Sequence, residues 1–279
     1  MKKLIIFGAG GTGRRVFNLL KNEYEVLFFV DNDVHKWGGI CEGYEIKNPE
    51  EIKKLKQYDC IALGTLMGLS EVQEQLMTYG VPKEKINKTY VEISVISRIM
   101  FLKRFAEFVD KRDFQGSVAE AGVFRGEFAK EINRYFSNRR CYLFDTFEGF
   151  DERDFAYEQE DSMTEEAKHL KMTSENLVYE KMPYKNNVII RKGYFPDTTN
   201  GIEDIFLFVN LDMDLYHPIL EGLKFFYPRM VNGGIILVHD YFTEIFPNVE
   251  KAVADFEKEI GIVLKKAPIG DDITLMIIK

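Results

Sequence analysis

The chain has 279 residues, 46% of them hydrophobic, which is enough for one large domain or two smaller ones. Its formal net charge of −8 argues against a general nucleic-acid-binding protein, which is usually basic. No apolar stretch approaches the roughly 18 residues of a transmembrane helix, and the apolar run after Met1 is too short for a signal peptide. We therefore predict a cytoplasmic protein without a membrane span, and a homo-oligomer remains open.

The N-terminal segment combines an apolar run, spaced glycines and a helical pattern. Gly8, Gly10 and Gly13 follow the run LIIF in the order G-x-G-x-x-G, and Asp31 closes a second apolar run, EVLFFVDND. An acid about 20 residues after such a loop is expected to bind a ribose. The pattern predicts a small Rossmann-like domain over residues 1–92 that binds a nucleotide, a nucleotide-sugar or NAD. The alternative is a degenerate nucleotide fold retained for packing or assembly.

The strand count of this first domain bears on its chemistry. Three or four strands are predicted, half of a full dinucleotide fold, and no Tyr-x-x-x-Lys pair stands on a downstream helix. A sugar-modifying dehydrogenase would need such a pair for acid–base catalysis. An NAD(P)-dependent sugar oxidoreductase or epimerase is therefore the alternative enzyme and not the first prediction.

A second strand–glycine–helix unit follows a helical pattern around residues 96–109. The stretch GSVAEAGVFRGEFAKEINRYF runs from a short strand into Glu120, Gly122 and Gly126, and then into a helix. The next strand, CYLFDTFEGF, ends in Asp145. Two such units predict two nucleotide-type sheets. The simpler alternative is that the two acids lie in solvated loops at strand ends.

Two later apolar strands end in ionisable residues. FLFVNLDMDLYH carries Asp212 and Asp214, and IILVHDY carries His239 and Asp240. The carboxyl ends of parallel strands share one edge of a sheet, so these groups are expected to converge. Carboxylates that converge repel one another unless a positive charge relieves them. Either they are solvated loop residues, or a cation lies between them.

Five blocks identify a family resemblance over about residues 95–279. They are VAEAGVFRGEFA, LFDTFEGF, RKGYFPDT, VNLDMDLY and YPRMVNGGIILVHDY, and in this order they resemble the macrocin O-methyltransferase (TylF-like) family. The resemblance implies S-adenosylmethionine-dependent methylation of a sugar hydroxyl, in natural-product or surface-polysaccharide biosynthesis. The acceptor would be a sugar or nucleotide-sugar. The predicted fold class is therefore α/β, with two Rossmann-like domains, the second being a class I methyltransferase domain over residues 93–279.

In a sheet of that class the glycines allow the cofactor's methionine part to approach the backbone, and the acid accepts the ribose hydroxyls. Gly122 and Gly126 are predicted for the first role and Asp145 for the second. Glu120 is predicted to contact the polar amino-acid end of the cofactor.

The resemblance further implies a divalent metal, Mg or Mn, bound by Asp212 and Asp240, with Asp214 as general base or third ligand. His239 departs from the family, which usually has aspartate at this position. It is interpreted as a metal ligand, an acid–base or substrate contact, or a packing residue. A non-catalytic binding protein is the remaining alternative, and the intact acids argue against it.

Residues 151–186 are charged and rich in Met and Tyr. We predict a helical lid that keeps water from the active site. The alternative is a solvated insertion.

Overall fold

The computed structural model describes residues 1–65, 68–158, 170–243 and 246–279. They form two compact units, Met1–Ile96 and Ser97–Lys279. Within these ranges no helix has both the length and the apolar character needed to cross a membrane.

The first unit is built on a six-stranded sheet in the order β3-β4-β2-β1-β5-β6. All neighbouring strands are parallel except β3 and β4. The strands are β1 (Lys2–Phe7), β2 (Tyr24–Val30), β3 (Ile40–Cys41), β4 (Tyr44–Lys47), β5 (Cys60–Leu63) and β6 (Ile86–Asn87). The helices are α1 (Gly11–Leu20) and α2 (Leu69–Thr78), and α3 (Thr89–Asp110) contains the boundary between the units.

Alternate residues of β1 pack into different cores because successive side chains of a strand point to opposite faces. Leu4 and Ile6 belong to a cluster with the apolar face of α1, whereas Ile5 and Phe7 pack with α2. Both faces of the sheet are therefore covered. The prediction of three or four strands was wrong, because β3, β4 and β6 have only two to four residues each and carry little periodic signal.

The second unit contains a seven-stranded sheet in the order β12-β13-β11-β10-β7-β8-β9. Strands β7 to β11 are parallel to one another, and β13 runs antiparallel to β11 and β12. The strands are β7 (Ser117–Ala121), β8 (Cys141–Asp145), β9 (Val188–Lys192), β10 (Phe206–Leu211), β11 (Met230–Val238), β12 (Lys265–Pro268) and β13 (Leu275–Ile278). The further helices are α4 (Glu127–Tyr135), α5 (Glu175–Lys181), α6 (Tyr216–Phe226) and α7 (Asn248–Ile260).

Helices cover both faces of this sheet as well. Residues of α6 and α7 pack in one core and residues of α3 and α4 in the other. Strands β8 and β9 lie on one side of β7, and β10 and β11 lie on the other. In an open α/β sheet the crevice at such a change of strand order is where ligands bind, beyond the carboxyl ends of the strands.

The predicted lid, residues 151–186, includes 159–169, which lie outside the described residues. Its later part contains α5, which is anchored to the core: Val178 and Met182 are buried. Lys181 Nζ donates to the carbonyl of Arg125 at 2.7 Å. This part of the segment therefore contributes to packing.

Candidate active site

Three neighbouring parallel strands bring the predicted site residues to one edge of the second sheet. The backbone N–H of Asp212, just after β10, donates to the carbonyl of Ala121 at the end of β7 at 2.8 Å. The N–H of His239, just after β11, donates to the carbonyl of Leu211 at 2.9 Å. The ladder therefore continues one residue beyond each strand and fixes both side chains at the change of strand order.

Asp212, His239 and Asp240 form a cluster in which one ligand atom from each lies within 4.8 Å of the other two. His239 Nε2 lies 4.0 Å from Asp240 Oδ2. These are the three residues predicted as metal ligands. Asp214 is not among them. Asp214 and Asp240 both have left-handed backbones, with φ of 63° and 55°, a conformation that Asp and Asn tolerate better than most residues.

Arg98 of α3 occupies this cluster, and the sequence analysis did not single it out. Its Nη2 donates to Asp212 Oδ2 at 2.9 Å, and its Nη1 lies 3.1 Å from His239 Nε2. Its Cζ lies 3.9 Å from the centre of the Phe128 ring, a cation–π contact. The available signal was an arginine within the apolar segment VISRIMFLKRF, where a charged side chain needs a partner.

The contacts of His239 define its tautomer. A guanidinium can only donate, so Nε2 accepts from Arg98 and carries no proton. Nδ1 lies 2.8 Å from Thr274 Oγ1, and its N–H therefore donates to that hydroxyl. Thr274 Oγ1 in turn donates to Asp271 Oδ2 at 2.5 Å. These buried hydrogen bonds fix the ring and direct the Nε2 lone pair into the cluster.

The charge of Asp212 is stabilised by its neighbours. Burial acts to raise the pKa of this carboxyl, but the charge of the Arg98 guanidinium, together with hydrogen bonds from Arg98 and Asn210, holds the pKa below its usual range. Asp212 is therefore an ionised acceptor at neutral pH.

Glu120 and Asn210 form a buried polar pair beside this cluster. Strand β7 extends to Ala121, so Glu120 lies within the strand and not at its end as predicted. Asn210 Nδ2 donates to Glu120 Oε1 at 2.8 Å, while Glu120 Oε2 and Asn210 Oδ1 have no hydrogen-bond partner in the part of the chain that the structure describes. Burial, with contributions from Asp212 and Asp145, raises the pKa of Glu120 to about 8. Asn210 was missed, although an asparagine within an otherwise apolar buried strand is a signal.

Gly122 and Gly126 have packing reasons for lacking a side chain. Gly122 has φ of +83°, and a Cβ there would lie 1.8 Å from the carbonyl oxygen of Asp212. A Cβ on Gly126, the N-cap of α4, would press on Val178 of α5 at 3.1 Å. The first glycine thus allows β7 and the Asp212 turn to approach closely.

Asp145, the predicted ribose acid, holds the glycine loop. Its Oδ2 accepts from the N–H groups of Val123 and Phe124 at 2.8 and 2.7 Å, and its Oδ1 accepts from Phe147 at 2.6 Å. Burial raises the pKa of Asp145, although these three hydrogen bonds act against it. A carboxylate offers about four acceptor sites, so about one remains for a ligand.

In the first unit the predicted nucleotide glycines differ in their surroundings. A Cβ on Gly13 would lie 1.9 Å from the carbonyl oxygen of Gly8, and one on Gly8 would lie 2.5 Å from that of Gly64. These glycines permit α1 and two strand ends to pack closely. Among the described residues, a Cβ on Gly10 would meet nothing within 4 Å. The space beside Gly10, at the start of α1, is therefore open.

Asp31, the predicted ribose acid of the first unit, is engaged by its own unit. Its Oδ2 accepts from the N–H of Ala9 at 2.8 Å and from Lys36 Nζ at 3.1 Å, and its Oδ1 accepts from the N–H of Asp33 at 2.9 Å. A ribose would have to compete with Lys36 for this carboxylate.

Sequence comparison identifies the second unit. A family model described as macrocin-O-methyltransferase (TylF) matches residues 72–272, well over half of the chain. The chain belongs to the macrocin-O-methyltransferase family. It is accordingly a methyltransferase. A second family model, described as the N-terminal part of C2185-like proteins, matches residues 1–87. Among curated proteins, no sequence matches the chain.

Solved structures agree with the fold of a methyltransferase. The O-methyltransferase NovP is 23% identical, with 66% of this chain and 80% of NovP covered and a TM-score of 0.55. The calicheamicin methyltransferase CalS11 is 15% identical, with 77% of this chain and 86% of CalS11 covered and a TM-score of 0.51. At these identities the likeness shows the fold alone.

Proposed function

We propose that this family member is an S-adenosylmethionine-dependent, divalent-metal-dependent O-methyltransferase that acts on a sugar hydroxyl. Nucleotide-linked sugars are the first acceptor class to test. The observation that carries the proposal is the cluster of Asp212, His239 and Asp240 at the change of strand order, where one ligand atom of each lies within 4.8 Å of the others.

The crevice fits S-adenosylmethionine, which supplies an activated methyl group when bound. Glu120 Oε2 is buried without a hydrogen-bond partner among the described residues. The cationic amino group of the cofactor's methionine part would favour the ionised carboxylate and provide Oε2 with a donor. Asp145 orders the loop after β7 and keeps about one acceptor site for a ribose hydroxyl. Both acids lie at or near the ends of adjacent parallel strands.

The donor set of the cluster fits a divalent cation. Two carboxylates and one imidazole with an unprotonated Nε2 are ligands that Mn and related metals accept, and the imidazole makes the site softer than an all-oxygen site for Mg. When bound, such a cation would supply positive charge that lowers the pKa of an acceptor hydroxyl.

Asp214 is proposed as the general base that accepts the proton of the sugar hydroxyl. It follows Asp212 by two residues on the same strand end, and its left-handed backbone turns the chain at this point. His239 is proposed as a metal ligand whose orientation is fixed by Thr274. Its Nδ1–H is committed to that hydroxyl.

The test is methyl transfer from S-adenosylmethionine to a panel of nucleotide-linked and free sugars, followed by mass spectrometry, with Mg, Mn or Co added after chelation. We expect transfer that requires metal, with Mn or Co at least as effective as Mg. Asp212→Asn should lose metal binding and activity together. Asp214→Asn should keep the metal and slow turnover by roughly 10²–10⁴-fold.

Asparagine tolerates the left-handed backbone at position 214, so loss of activity there reports on the carboxylate. Undiminished transfer after exhaustive chelation, by wild type and by Asp212→Asn, would refute the metal role. Failure of the full chain to bind S-adenosylmethionine or S-adenosylhomocysteine in calorimetry, combined with oxidation of NADH by a sugar nucleotide, would favour the oxidoreductase instead.

We extend the proposal to the first unit as a Rossmann-like domain that binds a nucleotide or nucleotide-sugar, with NAD as the alternative ligand. The open space at Gly10 supports it, since a phosphate can approach the backbone N–H groups at the start of α1 there. The engagement of Asp31 by Lys36 argues against tight ribose binding by that acid.

A further inference from the structure

Arg98 lies where a bound cation would have to lie. The side chain is only 12% exposed, and its two terminal nitrogens reach Asp212 Oδ2 at 2.9 Å and His239 Nε2 at 3.1 Å. Both acceptors belong to the proposed metal ligands. The guanidinium therefore satisfies, in this structure, two of the three side chains on which the metal site depends.

At His239, Arg98 and a metal ion compete for the same nitrogen atom. An imidazole nitrogen has a single lone pair, and Nδ1 of this ring is already committed to Thr274. Nε2 can accept from Arg98 or bind a metal ion, but not both. Asp212 is less restrictive, because a carboxylate has several lone pairs.

Charge acts in the same direction. A bound divalent cation and the Arg98 guanidinium would place two positive groups together in a partly buried site, where like charges repel one another more strongly than in water. The two cations therefore disfavour one another even where lone pairs suffice.

The hydrogen bonding of the Arg98 guanidinium is incomplete. Its Nε is buried and has no hydrogen-bond partner among residues 1–65, 68–158, 170–243 and 246–279, which costs free energy in the observed position. The Phe128 ring lies under the guanidinium and offers a contact that does not depend on Asp212 or His239. Displacement from the two acceptors is thus less costly than loss of a fully bonded guanidinium.

We propose that Arg98 is a built-in competitor for the divalent cation: it neutralises the cluster when no metal is bound, and it must leave His239 Nε2 before the metal can use all three ligands. Arg98 thereby sets the metal affinity of the site. This inference rests on the metal site of the proposed function.

The test measures Mn²⁺ binding to the full chain by electron paramagnetic resonance, without cofactor or acceptor. Arg98→Met should bind Mn²⁺ at least roughly tenfold more tightly than wild type, because a positive charge and the competition for Nε2 are both removed. Arg104→Met is the matched control on the same helix; its side chain is 71% exposed and pairs with Glu107, so its affinity should equal wild type. Asp212→Asn in the Arg98→Met background should abolish the gain.

If circular dichroism shows that Arg98→Met does not fold, Arg98→Lys replaces it in the binding test. One ammonium cannot reproduce the planar fork across both acceptors, so this variant should also bind Mn²⁺ more tightly than wild type. If wild type binds Mn²⁺ and the folded Arg98 variants bind it equally or more weakly, the proposed competition is refuted. The proposed metal site is not refuted by that result. If neither wild type nor any Arg98 variant binds Mn²⁺, both proposals fail.

Discussion

At the scale of single residues, acids of similar type have different states because their surroundings differ. Asp145 accepts from three backbone N–H groups, two of the glycine loop and one of its own following loop. Asp212 is ionised beside Arg98. Glu120 lies inside a strand, where burial raises the pKa of its carboxyl to about 8 and favours its protonated form. Sequence position places all three near the crevice, but only their contacts decide which is charged.

The buried Glu120 should make the stability of the second unit depend on pH. Its folded-state pKa of about 8 lies above the ordinary value of 4.5. Its contribution is therefore complete below pH 4.5 and is lost as pH rises through about 8, at about 1.4 kcal/mol for each unit of pKa shift. We expect Glu120→Gln to remove this loss, so that the melting temperature of the variant falls less than that of wild type between about pH 5 and about pH 8.5.

Circular dichroism melts at both pH values measure the effect, and the difference between variant and wild type cancels the contributions of other titrating groups. Glu152→Gln at an exposed position is the control and should follow wild type. Parallel pH dependence of Glu120→Gln and wild type would show that Glu120 is ionised in the folded protein.

At the scale of elements, the sequence was most informative where an apolar run meets glycine. The strands before Gly8 and Gly122 and the convergence of Asp212, His239 and Asp240 could be predicted, because parallel strands share one carboxyl edge. Arg98 was missed because helical periodicity marks the apolar face and says nothing of where a long polar side chain ends. The short strands of the first unit were missed for lack of periodic signal.

The structural reason for each glycine could also not be predicted from the sequence. A G-x-G pattern predicts that backbone approaches a ligand, but a Cβ on Gly122 would meet the chain itself, at the carbonyl of Asp212. The sequence indicates that a small residue is required at such a position, but it does not indicate which neighbouring group excludes a side chain.

We expect Gly122→Ala to destabilise the second unit and to disturb the cluster at Asp212. The left-handed backbone costs about 1–2 kcal/mol with a Cβ, and the contact at 1.8 Å forces β7 and the Asp212 turn apart. The melting temperature should fall by roughly 3 °C or more, with weaker Mn²⁺ binding. Gly10→Ala is the control and should melt as wild type, since its Cβ meets nothing within 4 Å. Wild-type stability of Gly122→Ala would refute the close approach as the reason for this glycine.

In the molecule as a whole, the same structural arrangement occurs in both compact units. In each, an acid at or just after the end of the second parallel strand accepts an N–H of the glycine loop 22 residues earlier, Asp31 from Ala9 and Asp145 from Val123. Each unit has its own sheet, its own two-sided core and its own change of strand order beside the first strand. Each unit therefore has a glycine loop that is held by an acid of the next strand.

If the two sites are separate, substitutions in one unit should leave ligand binding by the other unchanged. We expect Gly10→Val to weaken binding of nucleotide probes such as UDP-glucose by the full chain, since its side chain would fill the open space at the start of α1, and to leave S-adenosylhomocysteine binding intact. Asp145→Asn should do the reverse, because loss of the carboxylate weakens two backbone contacts to the second glycine loop and one to the loop after β8. Titration calorimetry of each variant with both ligands measures the four affinities, and Gly10→Ala controls for loss of the glycine itself. Loss of both ligands on either single substitution would mean that the two sites are not independent.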